Sequence, residues 1–402
     1  MQMENNQEVL LRVEHLCQFF GSTKAVNDVS FDIKKGEVFG LVGESGCGKT
    51  TTGRSIIKLY DITSGNIYFK GIRIGAGTLS YRLAIKEARK NYKEKVKGAD
   101  AATAKALKAE RDSFIKEQKK QIKAAKYDQK HCDKEYSKQQ VRLVEEKYRP
   151  LLASASGYAR ENLLEEYSDE LKKARRSRLV TKIQMIFQDP SAALDPRLTV
   201  REIISEGLII QGEKDKEVIN KKVDEMLELV GLVREHAGRY QHEFSGGQRQ
   251  RIGIARSVIM QPEMIIADEP VSALDVSIQA QVINLLNDLR RELGLTILFI
   301  AHDLSVVKYF SDRIGVMYFG ELVELATSDE LFLNPLHPYT KSLLSAIPLP
   351  DPEYEKNRKR IIYNPLAEHD YSVDKPTMRE VKPGHFVKCN NAEYEKYLSV
   401  LK

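Results

Sequence analysis

Short, strongly apolar runs recur along most of the chain, and helical patterns follow many of them. The runs predicted to be β-strands are residues 37–42, 66–70, 182–187, 264–267 and 296–300. After residue 180, each run precedes a stretch with helical periodicity, an alternation typical of a parallel α/β core. The pattern therefore predicts an α/β fold with a buried, largely parallel sheet.

The segment 81–180 has a different texture. It contains only Gly98, Gly157 and Pro150 as helix-breaking residues, and Lys, Ala, Glu, Gln and Arg dominate it, a composition that favours helix. Apolar or small residues recur at roughly heptad spacing, with polar interruptions. We predict an inserted, coiled-coil-like helical hairpin of two or three helices, broken near Gly98 and at Pro150. A single helix over residues 101–149 would be about 70 Å long.

The positive charge of the chain is concentrated in that insertion. The whole sequence carries a formal net charge of +6, but residues 81–180 hold 27 Lys and Arg against 16 Asp and Glu, which leaves a net charge of −5 for the remainder. Acids are interspersed among these bases. This pattern indicates a solvated helical surface of mixed charge rather than a nucleic-acid-binding surface.

Several classes of protein are excluded by what the sequence lacks. The longest apolar run, residues 295–301, is far shorter than the about 20 residues of a spanning helix, and the N-terminus has no secretory pattern. The four cysteines lie far apart, which argues against a disulfide framework or a structural zinc and agrees with a reducing cytosol. We expect a chain that neither crosses a membrane nor is exported.

The strongest chemical signal is a phosphate-binding loop. Residues 43–50, GESGCGKT, match G-x-x-x-x-G-K-[ST] between an apolar run and a helical stretch. In such a loop the backbone N–H groups and the helix N-terminus face the phosphates. Lys49 would reach the β- and γ-phosphates, and Thr50 would bind Mg²⁺. The candidate ATP-binding residues here are Gly43, Glu44, Ser45, Gly46, Cys47, Gly48, Lys49, Thr50 and Thr51.

A second signal is a pair of acids at the end of the apolar run 264–267. Asp268, at the carboxyl end of a buried strand, can hold a metal ion through water, and Glu269 can orient or deprotonate an attacking water molecule. Together with the phosphate loop, this pair predicts a nucleotide-hydrolysing site.

Further motifs in the same order resemble those of an ATP-binding cassette (ABC) subunit. They are Phe20, Gln188, the SGGQ signature Ser245, Gly246, Gly247 and Gln248, the loop residues Ser272 and Asp275, and His302. Apart from the insertion, the resemblance covers about residues 9–348. It implies the ABC-type nucleotide-binding core, with an antiparallel β subdomain and a helical subdomain that carries the signature.

The resemblance also implies roles for these residues. Gln188 would contact Mg²⁺ or the attacking water, and His302 would hydrogen-bond near the γ-phosphate. Phe20 would stack on adenine, although it or its neighbour is alternatively a core aromatic. In this family the signature closes on the ATP of a partner subunit, so Ser245 and Gly247 would act in trans, and Asp275 would communicate across the interface.

The finer pattern resembles one branch of the family. Residues 185–200, 268–279 and 337–348, which include H-P-Y-T, look like the ATPases of dipeptide and oligopeptide importers, specifically their second, F-type ATPase subunit. This resemblance implies ATP and Mg²⁺ as cofactors. The implied partners are a D-type ATPase in a heterodimer, two membrane permeases and an extracytoplasmic binding protein, with no direct nucleic-acid partner. It places the chain peripherally on the cytoplasmic face of the cell membrane.

These motifs predict four parts: an N-terminal part of the core (1–80), the insertion (81–180), the rest of the core (181–330) and a C-terminal extension (331–402). Many relatives carry a cysteine cluster in the extension, whereas here only Cys389 is present, so no metal cluster is expected there. The polar tail after residue 350 is predicted to wrap the surface or to be partly disordered.

Alternatives remain at two levels. A chromosome-maintenance or DNA-repair ABC ATPase also combines this site with inserted coiled helices, but there the coiled coil follows the Gln loop, whereas here it precedes Gln188. Translation-associated cassette proteins usually carry two cassettes, and nickel or opine-type importers share much of the pattern. The insertion itself is a solvated hairpin, a docking arm for a regulator or transporter subunit, or a nucleic-acid or anionic-lipid surface.

Overall fold

The computed structural model describes residues 8–347 and 360–401. Its strands are β1 (Val9–Phe20), β2 (Thr23–Lys34), β3 (Val38–Val42), β4 (Ser64–Phe69), β5 (Ile72–Ala76), β6 (Ile183–Ile186), β7 (Met264–Asp268), β8 (Thr296–Ala301), β9 (Arg313–Tyr318), β10 (Glu321–Thr327), β11 (Thr377–Lys382) and β12 (His385–Cys389). Its helices are α1 (Lys49–Ile56), α2 (Leu79–Lys95), α3 (Ala101–Ser154), α4 (Gly157–Arg176), α5 (Pro190–Ala193), α6 (Val200–Ile210), α7 (Lys216–Leu229), α8 (Gly246–Val258), α9 (Val276–Leu293), α10 (Leu304–Phe310), α11 (Ser328–Leu333), α12 (Pro338–Ser345), α13 (Pro365–Glu368) and α14 (Asn391–Val400).

The central sheet has the strand order β11-β12-β10-β9-β3-β8-β7-β6. From β9 to β6 the neighbouring strands are parallel, so their carboxyl ends meet at one edge. The five predicted strands are present, four of them in this sheet, which confirms the α/β prediction. Because both faces of a parallel sheet are buried, its strands are apolar throughout.

β3 shows how the two faces are filled. Val38 and Val42 belong to a core formed with α6 to α10, whereas Phe39 and Leu41 belong to a second core on the opposite face. This division follows from the two-residue period of a strand. The second core is shared with an antiparallel sheet of order β2-β1-β4-β5, which forms the predicted β subdomain. The phosphate loop thus leaves β3 with packed layers on both sides.

The insertion lies between β5 and β6, and its helices differ from a single hairpin. The break near Gly98 is present, between α2 and α3. The predicted break at Pro150 is wrong: α3 runs through it, and the chain becomes extended at Ala155 and Ser156. A proline removes one backbone N–H and one helical hydrogen bond, which α3 tolerates in its final turns. At 54 residues, α3 is about 80 Å long.

The middle of α3 is docked on the antiparallel sheet. Ala125, Cys132 and Tyr136 are buried, and the last two belong to the second core. Arg73 of β5 donates to Asp128 of α3 over 2.8 Å. The helix therefore crosses the core at about residues 125–136 and projects beyond it at both ends.

Each projecting half of α3 pairs with one other helix. In the first arm (residues 79–124), the guanidinium of Arg111 lies 4.1 Å from the ring centroid of Tyr92 in α2. In the second arm (residues 137–176), Lys147 forms a 2.8 Å ion pair with Glu170 of α4. The insertion is thus two antiparallel hairpins that share one long helix.

The C-terminal extension adds strands to the central sheet. β12 pairs with β10 and β11 pairs with β12, both antiparallel. Glu324 of β10 is fully buried and accepts from the N–H groups of Leu336 and His337, with His385 Nε2 at 2.9 Å. The described residues of the tail therefore extend the sheet, whereas the sequence predicted that the tail wraps the surface or is partly disordered. Residues 348–359 lie outside the described part of the chain. Within the described ranges no helix combines the length and apolar character needed to span a bilayer.

Candidate functional site

The phosphate loop connects β3 to α1 in a conformation that requires glycine. Gly43, Gly46 and Gly48 have φ values of 150°, 82° and 102°. A Cβ on Gly43 would lie 2.2 Å from the carbonyl oxygen of Met317, and one on Gly48 would lie 2.2 Å from that of Ala25. Within the described residues the N–H groups of Ser45, Gly46 and Gly48 have no hydrogen-bond acceptor. The loop therefore presents unpaired donors, as a phosphate site requires.

Lys49 is folded into this loop. Its Nζ donates to the carbonyl oxygens of Gly43 (2.7 Å) and Glu44 (2.9 Å) and lies 3.8 Å from the sulfur of Cys47. Lys49 and Cys47 are both buried. Burial raises the pKa of the Cys47 thiol, and the neighbouring ammonium opposes that rise. Lys49 is therefore held beside the unpaired N–H groups of the loop.

Thr50 and Asp268 are brought together as the sequence predicts. Thr50 Oγ1 donates to Asp268 Oδ1 over 2.7 Å. Asp268 is fully buried, its Oδ2 has no hydrogen-bond partner within the described part of the chain, and burial raises the pKa of its carboxyl group. A buried carboxylate oxygen without a partner beside a hydroxyl is the donor set expected for a hard cation.

This pair fits Mg²⁺ bound together with phosphate. Mg²⁺ is typically held by one or two carboxylates, waters and substrate phosphates rather than by a full protein cage. Accordingly, no group of three or more His, Cys, Asp and Glu side chains able to hold a metal occurs in residues 8–347 and 360–401. Gln188, the third predicted Mg²⁺ contact, is hydrogen-bonded to Glu269, the residue that follows Asp268.

Glu269 is the centre of a polar cluster at the carboxyl ends of β6, β7 and β8. Its Oε2 accepts a hydrogen bond from Gln188 Nε2 at 3.0 Å and lies 3.2 Å from His302 Nδ1. Glu269 has a left-handed backbone (φ 45°), and its N–H donates to Ile300 of β8. Ser272 Oγ donates to its carbonyl oxygen. The structure therefore gathers Glu269, Gln188 and His302 around one carboxylate oxygen.

The signature starts helix α8. Ser245 is its N-cap: Ser245 Oγ accepts from the Gln248 N–H, and Gln248 Oε1 accepts from the Ser245 N–H, a reciprocal capping box. Gly246 follows Ser245, and a Cβ on Gly247 would lie 2.6 Å from Ile278 of α9. No hydrogen bond joins residues 245–248 to residues 43–50, all of which are described. Ser245 and Asp275 are exposed.

Phe20 lies at the end of β1, where it is 45% exposed. Its ring meets that of Tyr60 edge to face, with centroids 5.2 Å apart. An exposed aromatic is available to a ligand, whereas the core alternative requires burial. Phe20 is thus a surface residue, and Phe19 beside it is half-buried.

The structure shows one contact to the phosphate loop that the sequence did not predict. The N–H of Glu44 donates to the hydroxyl oxygen of Tyr339 in α12 over 3.0 Å. Tyr339 belongs to the H-P-Y-T stretch, which marks the branch of the family, but nothing in its spacing relates it to a loop 295 residues away. Only the packing of the extension onto the sheet brings them together.

Comparisons with known proteins agree with these motifs. Residues 26–148 and 150–272 match the family described as ABC transporter, and residues 323–373 match the family described as oligopeptide/dipeptide transporter, C-terminal region. The oligopeptide transport ATP-binding protein OppF of Bacillus subtilis is 48% identical over 395 residues, covering 97% of this chain and 99% of that protein. The dipeptide transport ATP-binding protein DppF of Lactococcus lactis subsp. cremoris is 43% identical over 380 residues, covering 94% and 91%.

Solved structures share the fold at low identity. The cbiO1 protein from Clostridium perfringens, part of the ABC transporter complex cbiONQ, superposes with a TM-score of 0.51 at 21% identity, covering 82% of this chain and 92% of that one. An ATP-binding cassette of an ABC transporter in its ADP conformation gives 0.50 at 20% identity, covering 81% and 96%. These likenesses confirm the cassette fold.

Proposed function

Because the chain belongs to the ABC transporter family and matches its oligopeptide/dipeptide branch, we propose that it is the F subunit of a peptide importer. It is an ATPase of an ABC importer, and family membership favours transport over the chromosome-maintenance alternative. The observation that carries the catalytic assignment is the convergence of Gln188 and His302 on one carboxylate oxygen of Glu269, beside the Thr50–Asp268 pair.

In this proposal ATP binds at residues 43–51, with adenine against Phe20. Lys49 turns from its carbonyl partners to the β- and γ-phosphates and supplies positive charge where negative charge develops. Thr50, Asp268 and Gln188 hold Mg²⁺, which when bound compensates phosphate charge. Glu269 accepts a proton from the water that attacks the γ-phosphorus, and Gln188 and His302 orient that carboxylate and the water.

The signature acts on a second subunit's ATP. Ser245 is exposed and fixed by its capping box, and residues 245–248 have no bond to their own phosphate loop. These features support a dimer in which Ser245, Gly246, Gly247 and Gln248 close on the partner's nucleotide and Asp275 contacts the partner. We propose a D-type ATPase as the partner of this heterodimer, as the resemblance to the peptide-importer ATPases implies.

A groove beside the Gln188 loop supports contact with membrane permeases. It has a volume of about 320 Å³ and lies between β6, α6 and α8, lined by Met185, Phe187, Ile210, Arg256 and Met260 among others. An apolar groove next to the group that orients Glu269 offers a route by which an inserted permease segment changes hydrolysis. We propose two permeases, an extracytoplasmic binding protein that delivers the peptide, and a position of this chain on the cytoplasmic face.

Reconstitution of the importer in proteoliposomes tests this function. The full chain, a D-type ATPase, two permeases and the binding protein are expected to take up a labelled oligopeptide with ATP, and Lys49→Ala in this chain is expected to abolish uptake. Uptake of nickel without peptide uptake would favour the metal-importer alternative. Steeply salt-dependent DNA binding without transport would favour the chromosome-maintenance class.

A further inference from the structure

One peptide group of the phosphate loop is held at both ends. Its carbonyl, from Gly43, accepts a 2.7 Å hydrogen bond from Lys49 Nζ. Its N–H, from Glu44, donates over 3.0 Å to the hydroxyl oxygen of Tyr339. Because a peptide group is planar, fixing the N–H also fixes the direction of the carbonyl. The C-terminal extension thus contacts the same peptide group whose carbonyl accepts from Lys49.

Tyr339 is built into the extension as a rigid support. It is 1% exposed, and its own N–H donates to Nδ1 of His337, the N-cap of α12, over 3.1 Å. Its ring packs against those of Tyr318 and Tyr363, with centroids 4.4 and 5.6 Å away. Desolvation raises the pKa of the Tyr339 hydroxyl, so the group remains a neutral phenol at physiological pH.

We propose that Tyr339 is a positioning residue of the ATP site, through which the C-terminal extension sets the conformation of the phosphate loop. By accepting the Glu44 N–H, it orients the peptide that holds Lys49 and the unpaired N–H groups of Ser45, Gly46 and Gly48 that follow. This inference rests on the proposed binding of ATP at residues 43–51. Tyr339 touches no reacting atom, so it acts on ATP binding rather than on the chemical step.

Removing only the hydroxyl tests the hydrogen bond. The variant Tyr339→Phe keeps the buried ring. The matched control is Tyr363→Phe, because the Tyr363 hydroxyl forms no hydrogen bond within the described residues. For Tyr339→Phe we expect the Kd for ATP of the full chain and the KM for ATP of the assembled transporter to rise about threefold to tenfold, the size of one lost hydrogen bond. The kcat should stay within about twofold. The control should match the wild type in all three.

A second measurement reports on the conformation of the phosphate loop itself. Cys47 is buried in the loop, so a looser loop should increase its rate of modification by a thiol reagent, measured by mass spectrometry of the Cys47 peptide without ATP. Tyr339→Phe is expected to react faster than both the wild type and Tyr363→Phe. Equal ATP affinity in Tyr339→Phe and the wild type, or an equal loss in Tyr363→Phe, would overturn the proposal.

The site assignment has its own control. Lys49→Ala is expected to weaken ATP binding far more than Tyr339→Phe does. If Lys49→Ala bound ATP normally, the proposed position of ATP would be wrong. If Lys49→Ala lost binding while Tyr339→Phe kept it, only the role of Tyr339 would be wrong.

Discussion

Gln188 donates its side-chain N–H to the carboxylate of Glu269 across the ends of two neighbouring parallel strands, over 3.0 Å. The two residues are 81 positions apart, and the whole helical subdomain with the signature lies between them in sequence. A displacement of the loop after β6 must therefore move or release the proposed base. This link joins the groove next to β6 to the chemistry at the end of β7.

Replacing the proposed base should separate binding from hydrolysis. We expect Glu269→Gln to lower the ATPase rate of the assembled transporter by about 10²–10⁴-fold, the usual contribution of a general base. The Kd for ATP should change little, because Glu269 is not among the proposed phosphate contacts, and closed dimers should accumulate. The rate is measured with the partner ATPase present.

The control for this variant is Glu161→Gln, a similar change on the exposed face of α4. It should leave both hydrolysis and binding unchanged. Preserved turnover in Glu269→Gln, with ATP bound, would exclude Glu269 as the base and direct attention to His302.

The ionised side chain of Asp268 should destabilise the folded chain when no nucleotide is bound. Its carboxylate is buried with one oxygen unpaired, and burial raises its pKa, so the ionised form is disfavoured in the folded state relative to the unfolded state. Asp268→Asn should therefore raise the Tm without nucleotide at pH 7, by roughly 1 °C per kcal/mol for a chain of this size, while abolishing Mg²⁺-dependent hydrolysis. The gain should shrink as the pH falls towards the ordinary carboxyl pKa of 3.8, because the wild-type group then becomes protonated.

Calorimetry of the nucleotide-free chain between pH 4 and 8 provides this comparison. An unchanged or lower Tm for Asp268→Asn at pH 7 would show that the ionised carboxylate is well solvated or paired in solution. Retained Mg²⁺-dependent hydrolysis would remove Asp268 from the metal site.

Motif spacing was sufficient to identify the residues that we propose to act on the phosphates. A Gly-rich turn must follow a strand, and acids at the carboxyl ends of parallel strands meet at one edge, so Lys49, Thr50, Asp268 and Glu269 were predictable without coordinates. Gln188 and His302 required the family pattern, because a lone Gln or His after a strand has no distinctive spacing.

The remaining features depend on long-range packing. The contact between Glu44 and Tyr339 depends on how α12 packs against the sheet: His337, its N-cap, donates its N–H to the buried Glu324 of β10, and Tyr339 packs on Tyr318 at the end of β9. Alternation of a few residues does not specify such a long-range contact. The direction of the two arms depends on where α3 docks, and the buried positions Cys132 and Tyr136 continue the same heptad spacing as the 43% exposed Phe114. Periodicity therefore identified the helix but not which part of it touches the core.

Chemical modification of Cys47 in the phosphate loop should report whether ATP binds there. Burial raises the pKa of Cys47, so at pH 7.5 its thiolate fraction is smaller than that of an ordinary thiol, and its modification rate should keep rising at pH values where a short cysteine peptide has levelled off. A bulky reagent on Cys47 should block ATP binding, and ATP should protect the thiol. The rates are read by mass spectrometry of the Cys47 peptide with and without ATP. Normal ATP affinity after full modification would contradict the placement of ATP at residues 43–51.

The docked part of the insertion should contribute to stability, and the arms should not. Tyr136 is 3% exposed in the second core, whereas Phe114 in the first arm is 43% exposed. We expect Tyr136→Ala to lower the free energy of unfolding by about 3–5 kcal/mol, the usual cost of removing a buried aromatic ring. Phe114→Ala should change it by less than about 1 kcal/mol. Chemical denaturation of the full chain compares the two variants.

This difference decides how the arms should be tested for a partner. Removing residues 82–178 also removes the segment that covers the antiparallel sheet, so loss of transporter subunits from that variant would have two explanations. Shortening α2 and α3 from their shared turn near Gly98, and α3 and α4 from Ala155, keeps residues 125–136 in place. If these shortened chains are as stable as the wild type but lose the permeases or the D-type ATPase in a pull-down from solubilised membranes, the arms are docking elements. If all partners are retained, the arms are dispensable for assembly, and only the middle of α3 has a structural role.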